Sequence, residues 1–262
     1  MRTLTALLCA ASVIVAPAAM GHQHDHSVPK PAYADPAEPA LPQITMEVDL
    51  STTAVVITDP QMDFLHPSGV AYGAVGESVE EHGVVDNLEA LFAAADEAGM
   101  LTFVSPHYYY PHDHQWQFEG TLERLMHAIE MFDRTDPLSL EGFEGSGADW
   151  MPQYKPYIES ENVIVTSPHK VYGPEQNDLV LQLRKRGINR VILAGMSANL
   201  CTQAHLHELL EQGFEVAVVR DATAGAIVPE GDGYLAALIN FRFMANDVWF
   251  TSEAVEKIRN AT

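Results

Sequence analysis

Three residues of reactive type sit far apart in the chain but at equivalent places. Asp59 follows the apolar run TAVVIT (53–58), in the segment ITDPQMDF. Lys170 follows NVIVT (162–166), in TSPHKVYG, and Cys201 follows RVILAG (190–195), in GMSANLCTQAH. A carboxylate, an amine and a thiol brought to one place make a set for nucleophilic catalysis. The thiol attacks a carbonyl, the carboxylate takes the thiol proton and hands it to a leaving amine, and the cation favours the thiolate. Cys201 opens a stretch of helical spacing, where unpaired N–H groups and the helix dipole lower a thiol's pKa and can face an oxyanion. Taken singly, Asp59 is a loop or N-cap aspartate, Lys170 a loop lysine and Cys201 a packing residue. Their shared position after strands argues for chemistry. A second arrangement pairs Cys201 with His205, i and i+4 on one helix face, but leaves Asp59 and Lys170 idle.

The elements that must carry these residues alternate. Strands are expected at TAVVIT (53–58), LTFVS (101–105), NVIVT (162–166), RVILAG (190–195), EVAVV (215–219) and DVWF (247–250). Helical spacing lies between them at 84–99, 121–132, 178–187, 199–213 and 233–243, several stretches closing on glycine. Short β-branched runs alternating with helices predict an α/β fold, a three-layer α/β/α sandwich around a mostly parallel, about six-stranded, Rossmann-like sheet. Ligands of such a sheet bind beyond the carboxyl ends of its strands, where Asp59, Lys170 and Cys201 would meet. No GxGxxG follows the first strand, so a dinucleotide site has no support. Residues 133–161 form a long Pro- and Gly-rich connection, a length usual for function or an interface.

The chain has 262 residues, enough for one large core, and a net charge of −22 that sets nucleic acid and anionic lipid aside as partners. The expected partner is a small-molecule substrate, with the chain acting as a homo-oligomer. Arg2, the apolar run LTALLCAASVIVA (4–16) and the small residues APAAMG read as an export signal over residues 1–21, giving a periplasmic or secreted protein. Cys9 lies inside that run and follows Leu8, which does not fit a lipidation site. Processing would leave Cys201 as the sole cysteine, without a disulfide partner. Residues 22–45 read as a flexible tether rich in His, Pro and Ala, and the functional domain as residues 46–262. HQHDH (22–26) has the residue types to pick up a transition metal, although a solvated tail explains it as well.

The residues so far quoted resemble a known family, the isochorismatase-like cysteine hydrolases. The resemblance runs from about Thr52 to Phe250. It is carried by ITDPQMDF, by VIVTSPHK followed by DLVLQLRKRGI, and most specifically by VILAGMSANLCTQAHLHELLEQGFEVAVVRDATA. It implies Asp59, Lys170 and Cys201 as the catalytic triad, a cis peptide at Met196–Ser197, and an oxyanion hole made by the N–H groups of Ser197 and Cys201. It also implies hydrolysis of a carbon–nitrogen bond in a small amide or ureido-type compound through a thioester. The alternatives are an isochorismatase-type or metal-dependent nicotinamidase-like hydrolase, or a non-catalytic ligand-binding member.

Two departures stand out. Nicotinamidases of the family bind a metal through D-x-H after the second strand. Here that place reads SPHYYYPHDHQW (105–116), without D-x-H. The loop is expected to shape a substrate pocket with His107, Tyr108, Tyr110 and Trp116, joined by Phe64 and Tyr172. The triad is expected to need neither cofactor nor metal, although His107, His112 and His114 are close enough in sequence to gather one. The segment after Lys170 is also about two residues shorter than the family pattern.

Overall fold

The computed structural model describes residues 31–262. The expected export signal, Cys9 and HQHDH lie outside the described residues. The strands are β1 (Thr53–Thr58), β2 (Thr102–Ser105), β3 (Val163–Val165), β4 (Arg190–Gly195), β5 (Glu215–Val219), β6 (Ile227–Val228), β7 (Gly231–Asp232) and β8 (Asp247–Trp249). The helices are α1 (Met62–Leu65), α2 (Tyr72–His82), α3 (Val84–Ala98), α4 (Thr121–Ala128), α5 (Lys155–Ile158), α6 (Leu179–Lys185), α7 (Gln203–Glu211), α8 (Gly233–Met244) and α9 (Thr251–Asn260). Strands β6 and β7 form a small antiparallel hairpin. The other six make one sheet in the order β3-β2-β1-β4-β5-β8, every neighbouring pair parallel.

Period-two alternation divides β1 between two cores. Val55 and Ile57 pack with Leu88, Leu91, Ala254 and Ile258 of α3 and α9. Ala54 and Val56 pack on the opposite face with Leu179, Leu206, Leu238 and Phe241 of α6, α7 and α8. Burial on both faces is why the β1 sequence is an unbroken apolar run rather than an alternating one.

The strand order reverses direction between β1 and β4, the switch point at which open parallel sheets leave a crevice. Register levels the strand ends there. Thr58 pairs with Ser105 on one side and with Gly195 on the other. The chain therefore leaves β1, β2 and β4 at one height, and Asp59, Pro106 and Met196 are the first residues past it.

Several expectations change. The helix expected over 121–132 ends at Ala128, and Glu130 and Phe132 take left-handed φ of 56° and 60°. The backbone N–H of Phe132 donates to the buried Asp63 carboxylate at 2.7 Å instead of continuing the helix. The helix expected from residue 199 starts at Gln203, after a π-type turn over Ala198–Thr202. Helices α2 and α9 were not anticipated.

Within the described part of the expected tether, Tyr33 and Asp35 are anchored to the domain. Tyr33 is buried and stacks edge-on against Tyr234. Its carbonyl accepts from Arg220 and Arg242, and Asp35 pairs with both guanidinium groups. Among the described residues no helix is long and apolar enough to cross a membrane.

Candidate active site

Asp59 is fully buried and carries a left-handed φ of 46°, which aspartate tolerates better than most residues. Its N–H donates to the Ser105 carbonyl at 3.1 Å, locking the turn to the end of β2. On the β4 side Gly195 has φ 111°. A Cβ there would lie 2.1 Å from the Thr58 carbonyl oxygen, so only glycine fits. The following Met196–Ser197 peptide is cis, as the family resemblance implied. Thr58 holds this segment: its carbonyl accepts from Met196 N–H at 2.9 Å, and its hydroxyl donates to the Met196 carbonyl at 2.9 Å.

The π-type turn then presents Cys201. Its i→i+5 bond, Thr202 N–H to the Ser197 carbonyl at 3.1 Å, brings the two ends of the turn together. The backbone N–H groups of Ser197 and Cys201 both act on Sγ and favour its anion, though they are not the largest influence. Burial is the largest, and the Asp59 carboxylate adds to it, so the thiol is pushed well above its ordinary range. The helix-start expectation of a lowered thiol pKa is thereby corrected in direction: burial and the Asp59 carboxylate outweigh the two N–H groups.

The expected lysine is not at the triad. Lys170 Nζ donates to the Tyr108 carbonyl at 2.7 Å, pairs with Asp113, and lies 4.3 Å from the Tyr110 ring centre. Burial lowers its pKa, opposed by Asp113. The residue that reaches Asp59 is His169, whose Nε2 lies 2.8 Å from Asp59 Oδ1, both side chains fully buried. Backbone geometry explains the exchange. His169 N–H donates to the Pro106 carbonyl at 2.9 Å, and His169 bridges His107 in parallel fashion, so the segment is extended there. Neighbours on extended backbone face opposite sides: with His169 turned inward, Lys170 must turn away.

His107 completes the group. One donor atom from each of Asp59, His107, His169 and Cys201 lies within 4.8 Å of the others. Gln61 fixes the His107 peptide from both ends, accepting its N–H at 3.0 Å and donating to its carbonyl at 2.9 Å. Val171, at a left-handed φ of 65°, directs its N–H to His107 Nε2 at 3.3 Å and its carbonyl to Cys201 Sγ at 3.7 Å. Burial, then the neighbouring His169, holds His107 and His205 well below the ordinary imidazole range. His205 does not pair with the thiol. Its Nδ1 lies 2.7 Å from the Cys201 carbonyl oxygen and its Nε2 2.8 Å from the Ser105 hydroxyl, which Asn177 also contacts.

The expected pocket residues divide. His107 lies at the thiol. Phe64 packs edge-on against Phe132, a ring that also touches His107. Trp116 stands one ring further out, against Tyr109. Tyr108 turns toward Phe143, Trp150 and the Arg134 guanidinium. Tyr172 is 37% exposed at the rim. The loop histidines do not converge: His114 pairs with Asp133 and His112 points to solvent, away from His107. His169 and Gln61 are the site residues that sequence reasoning missed.

The isochorismatase domain model matches residues 53–248. No curated protein matches the chain. Among solved structures, a cysteine hydrolase from Pseudomonas syringae pv. phaseolicola 1448A is similar at 18% identity and TM-score 0.69, covering 85% of this chain and 100% of its own. N-carbamoylsarcosine amidase from Thermoplasma acidophilum is similar at 19% identity and TM-score 0.56, covering 76% and 96%. A nicotinamidase/pyrazinamidase from Bacillus subtilis is similar at 20% identity and TM-score 0.54, covering 76% and 99%. At these identities the likeness speaks for the fold, while the domain match spans most of the chain and takes in the turns that carry Asp59, His169 and Cys201. The chain belongs to the isochorismatase family of hydrolases.

Proposed function

We propose that this protein hydrolyses a carbon–nitrogen bond of a small amide or ureido-type compound through a thioester at Cys201. The observation that carries the reading is the surroundings of one sulfur atom: the Asp59 carboxylate beside it, and the N–H groups of Ser197 and Cys201 against it. Asp59 takes the thiol proton as Sγ adds to the substrate carbonyl. The oxyanion so formed is received by the two N–H groups. Asp59 then passes the proton to the departing nitrogen, the amine or ammonia leaves, and the thioester remains. Water, deprotonated by Asp59, cleaves the thioester and restores the thiol.

His169 takes the place beside Asp59 that the family resemblance gave to Lys170, and orients the Asp59 carboxylate. Lys170 instead braces the 108–113 loop through Asp113. The test is a panel of small amides and ureido compounds with ammonia detection, using Cys201→Ala as the blank. Ammonia release that disappears in Cys201→Ala supports the reading, and a variant that keeps the rate would refute it. Export remains part of the proposal, supported by the leader-like residues alone. N-terminal sequencing of native protein should find a start between about Ala19 and His22.

A further inference from the structure

The four groups at the site have a second chemistry. Their donor set is one thiol sulfur, two imidazoles and one carboxylate, all buried, with one donor atom from each within 4.8 Å of the rest. Three of the four carry a buried polar atom that meets no hydrogen-bond partner: Asp59 Oδ2, His107 Nδ1 and His169 Nδ1. Buried polar atoms without partners are rare and point to a ligand or to chemistry. One carboxylate proton transfer accounts for Asp59 but leaves the His107 ring, which takes no step in the hydrolysis, without a role.

The donor set selects the ion. A thiolate with two imidazoles suits zinc and disfavours magnesium and calcium, which want oxygen. Four protein groups fill a tetrahedral shell, the arrangement of zinc sites that leave no position for water. Such an ion would therefore not activate water. It would occupy the nucleophile.

We infer that Asp59, His107, His169 and Cys201 form a closed site for one zinc-class divalent cation, and that filling this site switches the hydrolase off. Binding replaces the S–H bond with a sulfur–metal bond and releases one proton to solvent. The ligand set differs from the D-x-H pattern of the metal-dependent relatives, since it uses the nucleophile and its base. The binding half stands independently, while the inhibitory half rests on the hydrolase reading above.

The probe is Co²⁺ titrated into the chelator-stripped full chain. The expected result is one Co²⁺ per chain with a sulfur-to-cobalt charge-transfer band, removed by Zn²⁺. Zn²⁺ should also protect Cys201 from iodoacetamide, read on the Cys201 peptide, and a chelator should reverse the protection. His107→Ala and His169→Ala should each weaken Co²⁺ binding by about tenfold or more, since loss of even an outer-shell partner costs that much. Deleting residues 22–26 should leave the band in place. A chain with no charge-transfer band, or Cys201 alkylated equally fast with and without Zn²⁺, overturns the site. These two wild-type measurements decide the matter even if a histidine variant fails to fold. A band that survives both histidine substitutions also overturns it. Amide turnover that persists in saturating Zn²⁺ rejects the inhibitory half. Turnover that depends on Cys201 in a chain without the band rejects the site and keeps the hydrolase, whereas a band without turnover of any amide does the reverse.

Discussion

Lowering the pH should destabilise this protein through two histidines beside the thiol. His107 and His205 are fully buried and held well below the ordinary imidazole value of 6.5 by desolvation. The unfolded chain takes up both protons as pH falls through that value, while the folded chain refuses them. Each therefore contributes stability that is present above 6.5 and lost below it. With both rings neutral in the folded chain down to that pH, the pair costs on the order of 3 kcal/mol at about pH 5.5 relative to pH 7.5. For a chain of this size that lowers Tm by roughly 6–12 °C. Asp63, Asp133 and Asp221, pushed up from 3.8 chiefly by burial, act in the opposite sense at lower pH, so the comparison belongs above their range. The assay is calorimetric melting at the two pH values in chelator-containing buffer, for wild type, His107→Gln, His205→Gln and the double variant. Each single variant should lose about half of the pH dependence, whatever its stability at neutral pH. The reasoning is refuted if the double variant keeps the full wild-type dependence.

Three further outcomes follow from the geometry. Asp59→Asn should lower kcat/KM by about 10²–10⁴, the range for loss of a general base, and more severely than His205→Ala, whose ring nitrogens face the Cys201 carbonyl and the Ser105 hydroxyl and not the thiol; steady-state kinetics in the reverse order would return the base to His205. His169→Ala removes a hydrogen bond to a buried carboxylate and should cost about 10–150-fold in kcat/KM, with His169→Lys recovering most of it, whereas a merely structural role would predict no rescue. Gly195→Ala should cost about 3 kcal/mol or more or prevent folding, because its Cβ would meet the Thr58 carbonyl. Gly213→Ala, also at positive φ but with nothing nearer than 3.7 Å, should cost only about 1 kcal/mol in denaturant unfolding.

Much of this arrangement was legible in the sequence because strands and helices declare themselves by period. The β1, β4 and β5 runs matched the expected spans residue for residue; Asp59 followed from being first past β1, and Cys201 from opening the helical stretch after β4. Helix α2 escaped because its apolar residues are few and its glycines and glutamates dilute the period. Which of two adjacent residues faces a site is another kind of question. His169 and Lys170 differ by one position, and their facing is set by the pairing of His169 with Pro106 and His107, which are more than sixty residues away. The thiol's raised pKa was hidden for a related reason: dipoles can be read from a helix start, but burial and the sign of the nearest charge require the fold.

The anchoring of Tyr33 and Asp35 separates two boundaries that are often treated as one. The inherited family span, 53–248, omits Tyr33, which packs with Leu238 and Phe241, and omits Ala254 and Ile258 of α9, which pack with Leu88 and Leu91. It also omits Asp35, the carboxylate paired with Arg220, a guanidinium only 4% exposed. A polypeptide trimmed to the inherited span would strip Arg220 of its carboxylate partner and leave both faces of the sheet short of cover. The cooperative unit is therefore longer than the heritable one at both ends, and a truncation, fusion or domain transplant of this protein has to be cut outside Tyr33 and Ile258.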